Sequence, residues 1–141
     1  MRRVICALFI WLPTCAACAD PVALQSINDY RALNDRAPLT YSTELEAAAL
    51  AHATDMAQSG LFDHMGSDGS DVAQRVSRQG YGWCIVAENI AKGQQSMPEV
   101  MQDWSESPGH RRNMLSREVS QFALVEGPDQ IWVMVLATPG C

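Results

Sequence analysis

The sequence predicts an α/β fold in three layers, α/β/α, and three observations carry that expectation. Helical periodicity dominates the first half of the chain, strand-like segments close it, and one of those strands is apolar on both faces. Residues 22–34 place Leu24, Ile27, Tyr30 or Arg31, and Leu33 or Asn34 at helical spacing, which predicts a short first helix. Thr43-x-x-Glu46 has the form of a capping box. Leu45, Ala48, Ala49, His52, Ala53 and Met56 follow at three- and four-residue steps, so a second helix is expected over 43–59 with Gly60 as its left-handed terminator. The polar stretch Asp63 to Gly69 reads as a loop, and a short helix near 71–79 should end at Gly80.

Residues 81–92 mix β-branched, aromatic and polar side chains, fitting a strand or a buried irregular segment. Ser96-x-x-Glu99 repeats the capping-box pattern with Pro98 in the first turn, where a missing N–H costs nothing. The helix it opens carries Val100, Met101 and Trp104 and is expected to break at Pro108-Gly109. The end reads as a β-hairpin, Gln121 to Glu126, a turn at Gly127-Pro128-Asp129, then Ile131 to Ala137. In Ile131-Trp132-Val133-Met134-Val135-Leu136 both faces are apolar, so that strand must be covered on both sides. No repeat, low-complexity tract or internal linker divides these elements.

Composition narrows the function classes. The chain has 141 residues, 48% hydrophobic and 18% charged, which suits one globular domain and excludes a disordered chain. Sixteen acidic against ten basic side chains give a net charge of −6. That balance argues against nucleic acid as a partner, because phosphate contacts need a basic surface.

The first nineteen residues have the parts of a secretory signal peptide in order: Arg2-Arg3, the apolar run Val4 to Leu12, and an Ala17-Cys18-Ala19 cleavage site. A membrane span needs ~20 apolar residues, more than this run supplies. The expected division is therefore a signal peptide at 1–19 and a mature domain at 20–141, exported to the periplasm or the medium with no transmembrane anchor after cleavage. Cleavage removes two arginines and no acids, leaving a net charge of −8 over 122 residues. It also leaves Cys84 and Cys141 as the only cysteines. In an oxidising compartment one disulfide is the simplest arrangement. A reactive Cys84 is disfavoured, since neither Trp83 nor Ile85 would favour a thiolate.

The candidate site is short of acid–base groups. His52 lies on the apolar face of the second helix and reads as a packed, hydrogen-bonded core histidine. His64 sits in the polar loop and His110 at the helix break after Ser107-Pro108-Gly109, both positions that present a side chain. Glu88, among Ile85, Val86, Ala87 and Ile90, is a carboxylate in an apolar neighbourhood, where it needs a partner such as histidine or a metal ion, or braces backbone. Two imidazoles and a carboxylate make a sensible set for a divalent cation, zinc above all. The spacing, 24 and 22 residues, does not single that out. There is no H-E-x-x-H helix, G-x-S-x-G elbow or Gly-rich phosphate loop.

Taken in order, these residues form a series. Asn28-Asp29-Tyr30-Arg31 leads to Pro38-Leu39, then Leu45, Ala49 and Ala53, His64, and Gly80-Tyr81. Ala87-Glu88-Asn89-Ile90-Ala91 follows, then Trp104-Ser105-Glu106-Ser107-Pro108-Gly109-His110-Arg111-Arg112-Asn113-Met114-Leu115 and the apolar hairpin. The series resembles the CAP superfamily, also called SCP-like, which gathers cysteine-rich secretory, antigen and pathogenesis-related proteins, and its compact bacterial branch in particular. The resemblance covers about residues 24–137. It implies an α/β/α sandwich on a mainly antiparallel sheet, secretion, and a cleft whose His/Glu/Glu/His tetrad holds a divalent metal.

By motif His64, Glu88 and His110 match three members of that tetrad. The position of the remaining glutamate is Ser107 here, with Glu106 beside it as a possible ligand, although one residue turns a helical side chain by ~100°. Phe122-Ala123-Leu124-Val125 replaces the usual G-V-G strand start. The expectation is a non-catalytic binding domain for a lipid, peptide or cell-wall fragment. The alternatives are a metal-assisted hydrolase, acting as a peptidase or on cell wall, and a structural envelope protein.

Overall fold

The computed structural model describes residues 20–141; the expected signal peptide lies outside the described residues. Five α-helices and four strands follow in the order α1 (Pro21–Ala32), β1 (Thr40–Tyr41), α2 (Thr43–Ser59), α3 (Val72–Arg78), β2 (Trp83–Lys92), α4 (Met97–Glu106), α5 (Pro108–Met114), β3 (Gln121–Gly127) and β4 (Ile131–Pro139). The sheet runs β1-β3-β4-β2. β3 and β4 form the expected antiparallel hairpin, and β2 lies antiparallel to β4 over its whole length.

The sheet is mixed rather than mainly antiparallel, because β1 runs parallel to β3, with Thr40 beside Gln121. Those two strands are joined through helices and another strand, so no hairpin turn imposes opposite directions on them.

β4 organises the core. Each residue from Ile131 to Ala137 is buried. Ile131, Val133, Val135 and Ala137 pack with Leu45, Ala49, Ala53 and Met56 of α2. Trp132, Met134 and Leu136 pack on the other face with Ile27 of α1 and with Val100, Met101 and Trp104 of α4. A strand buried on both faces cannot alternate polar and apolar residues, which is why its sequence is uniformly apolar.

The six residues expected to be the inner face of α2 are all buried. Its cap, however, is Ser42, whose hydroxyl accepts from the Leu45 N–H at 3.3 Å, one residue before the expected Thr43. Gly60 ends the helix at φ +73°, as a left-handed terminator must.

Around the site, α3 is opened by a reciprocal capping box between Asp71 and Gln74. The Ser96 side chain caps nothing, and Glu99 accepts instead from the Gln95 N–H at 2.8 Å. Pro108 does not simply end α4. It begins a separate helix, α5, where φ ≈ −65° and a missing donor suit the first turn.

Arg31, 1% exposed, donates from α1 to the carbonyls of Ala37, Met114 and Ser116 at 2.7–3.0 Å, clamping the end of α5 to the start of the fold. Cys84 and Cys141 form the expected disulfide, which ties the last residue to the edge strand β2.

Candidate functional site around Glu88

Glu88 sits in the middle of β2 opposite Val135, on the sheet face that α2 covers. Its side chain is 2% exposed. A carboxylate in that position must be matched by donors, and two elements supply them, with a third close by. From α3, Arg75 Nη2 donates to Oε2 at 2.7 Å, while Arg75 Nη1 donates to the Ser70 carbonyl at 2.7 Å and fixes the guanidinium. From the loop after α2, His64 Nδ1 lies 2.8 Å from Oε1. From α2 itself, His52 Nε2 lies 3.7 Å from the same oxygen and 3.0 Å from the Asp63 carbonyl. A carbonyl only accepts, so His52 Nε2 carries its proton and Nδ1 is left buried without a partner.

The three imidazoles differ in their protonation. His64 is 58% exposed, and its hydrogen bond to Glu88 raises its pKa above the usual 6.5. Burial lowers that of His52. Burial, reinforced by the charge of His64, lowers that of His110. His110 opens α5 against the indole of Trp104, the ring centroids 6.2 Å apart, and its Nδ1 is also buried without a partner. Asparagines fasten α5 to β2. Asn89 donates to the His110 carbonyl at 3.2 Å, and Asn113 donates to Asn89 Oδ1 at 2.8 Å and to the Glu88 carbonyl at 3.3 Å.

The structure thus brings His64 and Glu88 into contact and sets His110 near enough to feel the charge of His64. Glu106 does not join them: it is exposed at the end of α4 and accepts from Gln102 at 3.1 Å. Nor do these residues fit a divalent cation. One oxygen of Glu88 is held by a guanidinium and the other by His64 Nδ1. Among the described residues no group of three His, Cys, Asp or Glu side chains is arranged to hold a metal ion. The cation that Glu88 needs is Arg75.

Arg75 is the residue that sequence reasoning missed. The apolar surroundings of Glu88 demanded a cationic partner, but Arg75 lies in the polar run V-A-Q-R-V-S-R, where an arginine reads as solvent-facing. Chemically, the arrangement presents one imidazole whose Nδ1 is fixed by a buried carboxylate and whose ring is more than half exposed. Among the described residues no serine, threonine or cysteine hydrogen-bonds to any histidine ring. Ser105 donates to the Gln102 carbonyl instead. The orienting half of a nucleophilic triad is present without its nucleophile.

Comparison with known proteins places the chain. A family model described as CAP, the cysteine-rich secretory protein family, matches residues 24–134. The uncharacterized protein YkwD of Bacillus subtilis (strain 168) is 29% identical over 104 residues, covering 74% of this chain and 40% of YkwD. An extracellular protein containing an SCP domain from Bacillus anthracis superposes with a TM-score of 0.76 at 23% identity, over 81% of this chain and 39% of that one. An outer surface protein from Borrelia burgdorferi superposes with a TM-score of 0.76 at 18% identity, over 84% of this chain and 91% of that one. The chain therefore spans about two-fifths of the length of both Bacillus proteins and corresponds to nearly the whole of the Borrelia one.

Proposed function

Because this chain belongs to the CAP, or cysteine-rich secretory protein, family, we propose that it is an exported α/β/α domain that binds its ligand without transforming it, through the surface around His64 and His110. The observation that carries this reading is the oriented, exposed imidazole of His64, held by Glu88 at 2.8 Å with no hydroxyl or thiol among the described residues bonded to it. A fixed imidazole offers a ligand a donor or acceptor at a defined point, which confers specificity for little loss of side-chain entropy. Export is supported by the extracellular protein and the outer surface protein that share the fold. Among the described residues no helix is long and apolar enough to cross a membrane.

A second reading follows from the same contact, since an imidazole oriented by a carboxylate is also what a general base requires. One experiment separates the two. The imidazole signals are followed by NMR while a peptidoglycan digest, an unstructured peptide and a lysophospholipid are added in turn. Binding predicts that one class shifts the His64 and His110 signals and is recovered intact by mass spectrometry. Recovery of cleaved material overturns the binding reading in favour of hydrolysis, and undisturbed signals with all three overturn both.

A further inference from the structure

On the other side of α5 from His110 lies a groove of about 720 Å³, bounded by α5 and the segment that follows it, the edge strand β2 and the turn after α1. Its walls carry Arg36, Arg111, Arg112 and Arg117. Residues 20–141 hold eight basic side chains against sixteen acidic ones, so half of the domain's cations line this one groove. Among the described residues none of the four makes an ion pair, although other arginines of the chain pair with Glu88 and Asp68. Four neighbouring guanidinium groups repel one another, and a bound anion would relieve that repulsion. The lining acids offset this little, since Glu118 alone among the groove residues carries a carboxylate.

Two of the four cations are also held in place. Arg36 donates through Nε to the Leu115 carbonyl at 2.9 Å and through Nη1 to the Asn34 carbonyl at 2.9 Å, which leaves Nη2 to point elsewhere. Arg111 donates to the Ser105 carbonyl at 3.2 Å. The backbone beneath them is fixed by the buried Arg31, which grips the Met114 and Ser116 carbonyls. Ile85, Ala87 and Val119 give the groove an apolar floor. Such a floor lowers the local dielectric and strengthens charge recognition. The volume falls within the range of ligand sites, roughly 300–1,000 Å³. Guanidinium forks match phosphate oxygens two at a time.

We propose that this groove is a binding site for a ligand carrying two or more phosphate groups in line. The site is separate from the His64 surface and does not rest on the reading given for it. Asn113 faces the groove while donating to the Glu88 carbonyl, so the backbone of β2 and α5 divides the two.

The probe is inorganic tripolyphosphate, titrated calorimetrically into the mature protein, with orthophosphate and phosphatidylglycerol vesicles as separate arms. Tripolyphosphate is expected to bind more tightly than orthophosphate, and more weakly as salt rises. In the double variant Arg112→Gln/Arg117→Gln its affinity should fall at least about tenfold, a loss that Arg112→Lys/Arg117→Lys recovers only in part. Both residues are exposed and donate no hydrogen bond to the fold, and an unchanged thermal midpoint confirms that the variants are intact. His64→Ala should bind tripolyphosphate as the parent does. Absence of heat with tripolyphosphate, equal affinity in the double variant, or arginine-dependent binding to vesicles alone would each overturn the proposal.

Discussion

Arg75 Nη2 and Glu88 Oε2 stand 2.7 Å apart with their side chains 7% and 2% exposed, a charge pair removed from water at the centre of the candidate site. Burying either charge alone is costly, so the two depend on each other far more than an exposed pair would. Arg75→Ala leaves a desolvated carboxylate with only His64 for a partner. It is expected to lower the unfolding free energy by about 3–5 kcal/mol, read from urea denaturation. Adding Glu88→Gln to that variant removes the stranded charge and should recover part of the loss. If the double variant is as unstable as the sum of the single ones, the pair is not coupled in the way its geometry requires.

The three histidines should titrate on opposite sides of the usual value of 6.5. The His64 imidazolium is favoured by Glu88, so NMR should place its midpoint above that value. Burial disfavours the charged forms of His52 and His110, whose midpoints should lie below it. The consequences for stability have opposite signs. The contribution of His64 is complete below the unfolded pKa and fades as pH rises through its raised folded value. That of His52 is complete above the unfolded pKa and is lost as pH falls through its lowered folded value. His64→Gln should therefore weaken the protein more at pH 5 than at pH 9. His52→Gln should flatten the loss of stability on the acid side, whatever constant penalty repacking adds.

What the sequence made legible was set by how many residues shared one physical signal. The inner face of α2 is six residues at one period, and all six are buried. The uniform apolarity of β4 likewise announced a strand buried on both faces. Features resting on one or two residues escaped. β1 is two residues long, and its parallel pairing with β3 is a long-range contact with no local pattern. Pro108 was read as a stop, although the reasoning that places Pro98 in a first turn applies to it equally. At the site, the need of Glu88 for a partner was legible, and His64 was found. Arg75 was not, because an inward-turned arginine in a polar helix differs from an outward one only once β2 is packed beside it.

Gly127, at the end of β3, is a close-approach position. A Cβ built there would lie 2.5 Å from the Cβ of Ala53 and 3.5 Å from its backbone, so α2 would have to move off the sheet. Gly127→Ala is expected to destabilise by about 1–3 kcal/mol through overpacking, measured by thermal or urea unfolding. The clash is with a methyl group, so Ala53→Gly in the same chain should relieve it, less the helix-propensity cost of about 1 kcal/mol for an interior glycine. No relief in the double variant would place the cause elsewhere.

The disulfide links Cys84 to Cys141 across a separation of 57 residues. For a loop of that length, chain entropy alone predicts a stabilisation of about 4 kcal/mol. Locally the bond reinforces a weak place. The β2–β4 register shifts between Trp83 and Ile85, and past Pro139 the chain is held by the Gly140 N–H to the Gly82 carbonyl at 2.7 Å. Two effects of Cys84→Ser/Cys141→Ser follow and can be read separately. Urea denaturation should show a global loss of up to about 4 kcal/mol, since the entropic constraint acts on the unfolded chain. Hydrogen exchange should show faster local opening at residues 137–141 and 82–86, where the backbone ladder frays once its covalent tie is gone. Residues Glu88 to Ala91 lie opposite Trp132 to Val135 away from that end, where alternate amides of the edge strand bond to β4. Exchange of those ladder-bonded amides should follow the global change alone, so the Arg75–Glu88 contact ought to survive reduction for as long as the domain stays folded.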